Sequence, residues 1–277
     1  MERWAPVYVG LTLVVQASVG LAAGESPPQK GLDAERLEAG RLVYEQNCAI
    51  CHGPLGDGRG MAAMMVRTKP RDFRPGLFKF RSTPTGSLPT DEDLLQTISE
   101  GLRGTGMVGQ GHLPEPERRA LIGYLKTFSE RFRRERPSAS IPIPPPPPGA
   151  SALMARGQEV YQKAECFQCH GTEGRGDGPA APDLKDHWDY PIQPTDLTRP
   201  LKRGSSLEAI YQTLVTGLDG TPMPSYQGAL TEEELWALSL YVASLNTGVL
   251  SERQRREEAA GQMVLRMHGG RGGGMMR

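Results

Sequence analysis

All four cysteines of this 277-residue chain belong to two five-residue motifs with the same spacing. The motifs are Cys48-Ala-Ile-Cys51-His52 and Cys166-Phe-Gln-Cys169-His170. Two thiols one helical turn apart can reach both vinyl groups of one porphyrin, and the imidazole that follows can lie beneath the iron. Because C-x-x-C-H is the attachment pattern of c-type haem, the motifs predict two covalently bound haem c groups. The four cysteines would form the thioether bonds, and His52 and His170 would each bind one iron.

Three other uses of paired cysteines explain the motifs less well. A four-cysteine zinc site needs both pairs in one place, whereas a long segment separates Cys51 from Cys166. A thioredoxin-like redox motif requires a βαβ context, which the sequence lacks. Structural disulfides suit an exported protein, but neither they nor a zinc site would require a histidine after each pair.

The sequences around the two motifs match each other, which indicates a duplication. The matched stretches are Gly40-Arg-Leu-Val-Tyr44 with Gly157-Gln-Glu-Val-Tyr161, Gly56-Asp57-Gly58 with Gly176-Asp177-Gly178, Pro70-Arg-Asp72-Phe73 with Pro194-Thr-Asp196-Leu197, and 96–107 with 212–223. Each repeat ends on a stretch with helical apolar periodicity, at 120–128 and 237–245. The duplication predicts two domains of one fold.

Composition and local signals predict that both domains are small and helical. Glycine (34) and proline (24) are frequent and aromatic residues are few, which favours short helices, long loops and a thin core that a cofactor would complete. A helix is predicted over 33–46. Thr90 and Thr231, each followed by acidic residues, are predicted to cap the starts of two more helices.

The segments outside the repeats define the predicted domain organisation. We predict a first domain at 33–130, a linker rich in arginine and proline at 131–150, a second domain at 151–247 and a disordered tail at 248–277. The proline run in the linker predicts a semi-rigid spacer of polyproline II. Residues 1–24 have the apolar run and small closing residues of a cleaved signal peptide, although 4–23 is also long enough for an uncleaved membrane anchor. Both alternatives predict export to the periplasm.

Both repeats resemble class I cytochrome c domains of a bacterial type. In that family a first helix with a G-x-x-x-aromatic pattern crosses the last helix at an aromatic residue. The residues that carry this resemblance are Gly40 and Tyr44 with Tyr124, and Gly157 and Tyr161 with Tyr241. The resemblance covers nearly all of 33–130 and 151–247, and it implies an all-α fold of two tandem class I cytochrome c-like domains.

The resemblance also implies the second axial ligand of each iron. Electron carriers of the family close the far face of the haem with a methionine sulfur, which raises the reduction potential. Met107 and Met223 occupy matching positions in the two repeats. Met223 is followed by the proline typical of the family, whereas Met107 is followed by Val108. The alternative ligands, which lack counterparts in the other repeat, are Met61, Met64, Met65, His112 and His187.

Charge is balanced over the chain but not between its halves. The 32 basic and 32 acidic residues argue against a nucleic-acid partner. Residues 33–129 carry 13 basic and 12 acidic groups, net +1, and residues 151–247 carry 7 and 13, net −6. The basic stretch consists of Arg67, Lys69, Arg71, Arg74, Lys79 and Arg81. One interpretation is that this stretch and the acidic domain dock different redox partners; the other is a solvated loop, some of whose cations pair with haem propionates.

These features predict a periplasmic dihaem cytochrome c that carries single electrons between redox partners of a respiratory chain and catalyses no substrate reaction. The first alternative is an enzyme, a dihaem peroxidase or a thiosulfate-oxidising protein, which would need an open iron or a cysteine ligand. The second is a cytochrome c subunit of an oxidase or reductase complex, tethered to the inner membrane by an uncleaved 4–23. Only that second alternative involves the membrane as a partner.

Overall fold

The computed structural model describes residue 1, residues 30–147 and residues 153–246. The predicted signal peptide or anchor, the end of the predicted linker and the predicted disordered tail lie outside the described residues. Within the described part of the chain, no helix combines the length and apolarity needed to cross a bilayer.

The described residues form helices and loops, with isolated β-bridges but no strand. The first unit contains α1 (Lys30–Asn47), α2 (Ala49–His52), α3 (Asp91–Glu100), α4 (Glu115–Lys126) and α5 (Arg131–Arg134). The second contains α6 (Met154–Lys163), α7 (Phe167–His170), α8 (Leu207–Thr216) and α9 (Glu232–Leu245). Single turns of 3₁₀ helix lie at Met61–Met64 and Ala181–Asp183. The predicted all-α class is confirmed.

Local capping explains where three of these helices begin. The side chains of Thr90 and Thr231 each accept a hydrogen bond from the backbone N–H three residues later, and the acidic side chain at that position accepts one from the backbone N–H of the threonine. Both predicted caps are confirmed as full capping boxes. Ser206 caps α8 through Ala209 N–H. The first helix extends beyond the predicted 33–46 at both ends.

Helix α1 crosses α4 in the first unit, and α6 crosses α9 in the second, each time at a glycine. A Cβ atom added at Gly40 would overlap the carbonyl oxygen of Ala120, and one added at Gly157 would overlap that of Ala237. The ring centroids of Tyr44 and Tyr124 are 5.5 Å apart. The corresponding pair, Tyr161 and Tyr241, is separated by 5.3 Å. The predicted crossing of α1 with α4 and of α6 with α9 is therefore confirmed.

The crossing predicts a strong effect of one methyl group. Gly40→Ala should lower the free energy of unfolding by about 3 kcal/mol, the upper range for overpacking a tight contact, because the obstacle is backbone. Gly123→Ala is the matched control, since it is also helical but has no atom within 4 Å of an added Cβ; it should be neutral or stabilising by up to about 1 kcal/mol. Urea unfolding of the two variants measures the difference. Equal stabilities would contradict the proposed tight crossing.

A buried arginine joins the two units. Arg81 is 1 % exposed, and its Nη2 donates to the carbonyl oxygen of Thr216 at 2.6 Å and lies 2.9 Å from Asp219 Oδ1. Thr85 Oγ1 donates to the same carbonyl at 2.8 Å, and Gly86 N–H donates to Asp219 Oδ2 at 2.9 Å. The two units are therefore held together by polar contacts, of which those of Arg81 are buried.

A second set of contacts crosses the same interface. Arg203 Nη2 donates to Gln96 Oε1 at 2.7 Å and lies 3.6 Å from Asp93 Oδ1. The backbone N–H of Arg103 donates to the carbonyl oxygen of Lys202 at 3.0 Å. Cations from each unit thus meet acceptors on the other.

The described part of the predicted linker packs against both units. Arg131 donates to the carbonyl oxygens of Gly76 and Gly86 at 3.0 and 2.8 Å. Ile141 N–H donates to Ser82 O at 2.8 Å, and the Ile141 side chain packs on the core of the second unit. The described part of the proline-rich segment therefore packs along the interface between the two units, whereas the sequence predicted a spacer that separates them.

Most cations of the basic stretch make contacts with other residues of the protein. Arg74 pairs with Asp72, and Lys69 donates to the carbonyl oxygens of Ala63 and Val66. The cations that face the second unit are Arg67, which bonds Gln193, Arg71, which stacks on Trp188, and Arg81, which pairs with Asp219. These contacts correct the interpretation that the stretch is a free docking patch, because three of its six cations are directed at the acidic second unit.

Candidate haem sites

The first motif continues the first helix. Cys48 N–H donates to Tyr44 O at 2.8 Å, and His52 N–H donates to Cys48 O at 2.8 Å. These bonds place the Cys48 and Cys51 thiols and the His52 imidazole on one tight turn. Both thiols are partly buried and unpaired. The second motif repeats this geometry, with His170 N–H donating to Cys166 O at 2.9 Å.

Both motif histidines are oriented by a backbone carbonyl. Nδ1 of His52 lies 3.0 Å from Arg71 O, and Nδ1 of His170 lies 2.9 Å from Thr195 O. Because a carbonyl only accepts, Nδ1 carries the proton and Nε2 remains free to bind a metal. Burial lowers the pKa of both imidazoles, which favours the neutral form that metal binding requires. The ring of His52 also stacks on Phe73 at 4.5 Å.

Sequence reasoning identified the stretches that contain these carbonyls but not what they do. Arg71 and Thr195 are the middle residues of the matched P-x-D segments. Their acidic neighbours each accept a hydrogen bond from the backbone two residues later, which shapes the turn that presents the carbonyl. The repetition of the P-x-D segment was the sequence feature that pointed to these residues. Their role could not be predicted from residue type, because every residue has a backbone carbonyl.

The glycine-rich loops after the motifs align differently from the sequence match. Gly58 N–H donates to His52 O at 2.9 Å, and Gly176 N–H donates to His170 O at 2.8 Å. Gly58 therefore corresponds to Gly176, and the predicted pairing of Gly56-Asp57-Gly58 with Gly176-Asp177-Gly178 is wrong by two residues. Both glycines have positive φ, +73° and +77°, and a Cβ there would collide with a proline carbonyl. Backbone hydrogen bonds fix the positions of these two glycines, while Oδ1 of Asp57 and Oδ1 of Asp177 lie against the equivalent glycines Gly53 and Gly171.

Met107 and Met223 lie in loops with the same hydrogen bonds. Met107 N–H donates to Thr105 Oγ1 at 3.1 Å, and Met107 O accepts from Leu102 N–H at 2.9 Å. Met223 N–H donates to Thr221 Oγ1 at 3.3 Å, and Met223 O accepts from a leucine N–H at 3.1 Å. Both side chains are partly buried. The five alternative ligands, Met61, Met64, Met65, His112 and His187, are all exposed.

The donor set fits haem c better than a metal ion alone. The two cysteine pairs lie in separate units, and among the residues of 30–147 and 153–246 no group of three or more His, Cys, Asp and Glu is placed to hold a metal. Each unit instead offers two thiols, one oriented imidazole and one half-buried thioether. In addition, Arg71 Nη1 is buried without a hydrogen-bond partner, as expected where an anionic group of a cofactor completes the site.

Two helical units, each with a C-x-x-C-H turn and an equivalent methionine loop, define a tandem dihaem cytochrome c. The comparisons with known proteins agree with this class. The family model described as "Cytochrome c" matches residues 154–246, and the model "Cytochrome C oxidase, cbb3-type, subunit III" matches residues 35–125. The chain belongs to the cytochrome c family, with two class I domains in tandem.

Individual relatives of the chain are named as parts of larger protein complexes. The cbb3-type cytochrome c oxidase subunit FixP of Bradyrhizobium sp. is 28 % identical over 86 % of this chain, which spans 70 % of that relative. FixP of Bradyrhizobium diazoefficiens is 29 % identical over 76 % of the chain, which spans 61 % of its length. Among solved structures, a chain of the reducing HAO-like protein complex of Kuenenia stuttgartiensis is 42 % identical, with a TM-score of 0.74, over 76 % of this chain and 96 % of that one.

Family membership confirms the predicted cofactors and the general function. The chain carries two covalently bound haem c groups, and it is an electron-transfer protein whose partners are redox proteins.

Proposed function

We propose that His52 and Met107 bind the iron of the first haem, and that His170 and Met223 bind the iron of the second. The thioether bonds would come from Cys48 and Cys51 in the first unit and from Cys166 and Cys169 in the second. The bound haem supplies a one-electron couple between ferrous and ferric iron. The equivalence of the two methionine loops, hydrogen bond for hydrogen bond, is the observation that carries this assignment.

The surrounding residues would hold these ligands in place and exclude water. The carbonyls of Arg71 and Thr195 keep each histidine in one tautomer and one orientation. Tyr44 Oη donates to Gly53 O at 2.7 Å, and Tyr161 Oη donates to Gly171 O at 2.6 Å, which ties the residue after each histidine to the helix crossing. Met107 and Met223 would each supply a thioether, which favours ferrous iron relative to a second imidazole.

We further propose that the protein passes single electrons within a larger respiratory complex and performs no substrate chemistry. Two relatives are named as oxidase subunits and one solved relative as part of a protein complex, which supports a role as a subunit. With both axial positions filled, neither iron would have a site for peroxide. A substantial high-spin signal in the resting spectrum would favour the alternative, a dihaem peroxidase or a thiosulfate-oxidising enzyme.

We propose a periplasmic location for both haem domains. The apolar N-terminal segment supports export, and the cbb3-type oxidase relatives support the second alternative, in which 4–23 remains as a tether to the inner membrane. N-terminal sequencing of the mature protein distinguishes these cases. A new N-terminus near residue 25 would indicate cleavage, and the intact segment in a membrane fraction would indicate the tethered subunit.

Mass spectrometry of the purified protein tests the cofactor assignment. We expect two haem additions that survive denaturation, since thioether bonds are covalent. In Cys166→Ala combined with Cys169→Ala, one addition should remain, bound to a peptide containing Cys48 and Cys51. A single addition in the unaltered protein, or a haem that is lost on denaturation, would contradict the assignment.

A further inference from the structure

A cavity of about 150 Å³ lies between the two units, next to the first haem motif. The first unit contributes Gly58 and Arg71 to its wall, and both residues are hydrogen-bonded to His52 through their backbones. The second unit contributes Trp188 and Asp186. The cavity thus adjoins the histidine proposed to bind the first iron, although part of its wall belongs to the other domain.

Arg71 points into this region with unsatisfied hydrogen-bonding capacity. Its guanidinium carbon lies 4.5 Å from the ring centroid of Trp188. Its Nη1 is close to Gly220 of the second unit, and that nitrogen is buried with no hydrogen-bond partner. A buried, charged N–H group without an acceptor is more unfavourable than an unpaired neutral polar group, because the charge has lost its hydration without gaining a partner. The site as built therefore calls for an anion.

Two lysines reinforce the positive charge at this place. The Nζ atoms of Lys79 and Lys202 make no hydrogen bond or ion pair within the described ranges, although both residues are partly buried. Burial, together with the positive charges of Arg71 and Lys202, lowers the pKa of Lys79 to about 8. Three cations from the two units are thus brought together.

The acidic groups nearest to Arg71 make their hydrogen bonds and ion pairs to other partners, and one of them, Asp219, is paired with Arg81. Asp186 Oδ1 accepts hydrogen bonds from the backbone of Trp188 and Tyr190, and Asp72 is paired with Arg74. The other charged groups that line the cavity are Asp57, Arg59, Lys69 and Asp189. No acidic side chain in the described structure reaches Arg71 Nη1.

We propose that Arg71 and Lys79 bind the propionate carboxylates of the first haem, and that Trp188 of the second domain forms the opposite wall of this carboxylate site. A porphyrin held by His52 carries two carboxylates, so that it would supply the missing anions without a separate ligand. The second domain then completes the cofactor site of the first. This inference rests on the proposed function, because it requires haem bound at Cys48, Cys51 and His52.

Arg71→Leu tests the proposal, since the backbone carbonyl that orients His52 is retained. We expect the potential of one haem to fall and to become dependent on pH between about pH 5 and 8, because a buried propionate without its cation binds protons in that range. Bound protons favour the reduced state, so that this potential should fall as pH rises. The other haem should shift much less and without the new pH dependence.

Matched variants separate carboxylate binding from a general effect of charge. Lys79→Leu should reproduce the effect of Arg71→Leu, and it provides a second test if that variant fails to fold. Arg74→Leu removes a cation from the same loop whose partner is Asp72, and both potentials should keep their pH profiles. Trp188→Leu should change the potential of the first haem, although the substitution alters only the second domain. Trp188→Phe should retain most of the contact between the aromatic ring and Arg71.

Infrared difference spectra between the oxidised and reduced protein provide an independent measurement. The propionate carboxylate bands should shift in Arg71→Leu and Lys79→Leu but not in Arg74→Leu. Inorganic phosphate should leave the potentials of the unaltered protein unchanged. A fall in the potential of the unaltered protein on adding phosphate, absent in Arg71→Leu, would mean that the cavity binds free anions, and would overturn the proposal. So would equal, pH-independent shifts of both haems. Absence of the first haem would instead contradict the proposed function, and mass spectrometry distinguishes that outcome.

Discussion

Met223→His should lower the reduction potential of one haem by a few tenths of a volt and leave the other nearly unchanged. Axial ligands set haem potentials over a range of about 0.8 V, and imidazole stabilises ferric iron relative to a thioether. The Met223 loop is held by its backbone bonds to Thr221 and Leu218, so that the new side chain would start from the same position. A redox titration followed optically resolves the two haems.

The ferric absorption band of methionine-sulfur ligation provides a second measurement. The band should lose about half of its intensity in the single variant Met223→His. The single variant Met107→His should also lose about half, because each variant replaces one of two proposed thioether ligands. Met61→His is the control, since Met61 is 83 % exposed and should leave both potentials and the band unchanged. An unchanged band in Met223→His would show that another group binds the second iron.

Arg81→Leu should lower the free energy of unfolding by about 3–5 kcal/mol, the cost of removing one partner of a buried ion pair. The variant leaves the Asp219 carboxylate, whose side chain is 10 % exposed, without its cation. It also removes one of the donors to the Thr216 carbonyl. Because these groups belong to the second unit and Arg81 to the first, the loss falls on the contact between the units.

Two measurements distinguish this role from an ordinary core contact. Urea unfolding should change from one cooperative transition to two, since each unit has its own apolar core. Arg199→Leu is the control, because its pair with Asp196 is on the surface and the arginine side chain is 81 % exposed; it should cost less than about 1 kcal/mol. A loss of similar size in both variants, with one transition retained, would contradict a special role of Arg81 at the interface.

The contact between the two units changes the interpretation of their opposite net charges. The net +1 of 33–129 and the net −6 of 151–247 meet within one molecule, through Arg81 with Asp219 and Arg71 near Asp186. Complementary charge of this kind fixes how two surfaces dock. Any dependence of partner exchange on salt would therefore arise from charges outside this interface.

The sequence by itself determined the features that depend on local or chemically obligate patterns. Cofactor attachment needs C-x-x-C-H within a single turn, and a capping box needs residues only three apart, so that Thr90 and Thr231 were recognisable directly. The helix crossing at Gly40 spans a longer distance in sequence. It was nevertheless visible, because the duplication places the same small residue and the same aromatic residues in both repeats.

Only the tertiary structure determined what the residues that differ between the two repeats contact. Arg81 and Trp188 lie outside the stretches that match between the repeats, so that the duplication gave no sign of their contacts across the interface. Arg71 acts on His52 through a carbonyl oxygen, which every residue possesses, and the alignment of Gly58 with Gly176 depends on a backbone hydrogen bond and not on the neighbouring aspartates. Periodicity and motif spacing report contacts within a repeat, whereas burial between domains depends on surfaces that meet only after both have folded.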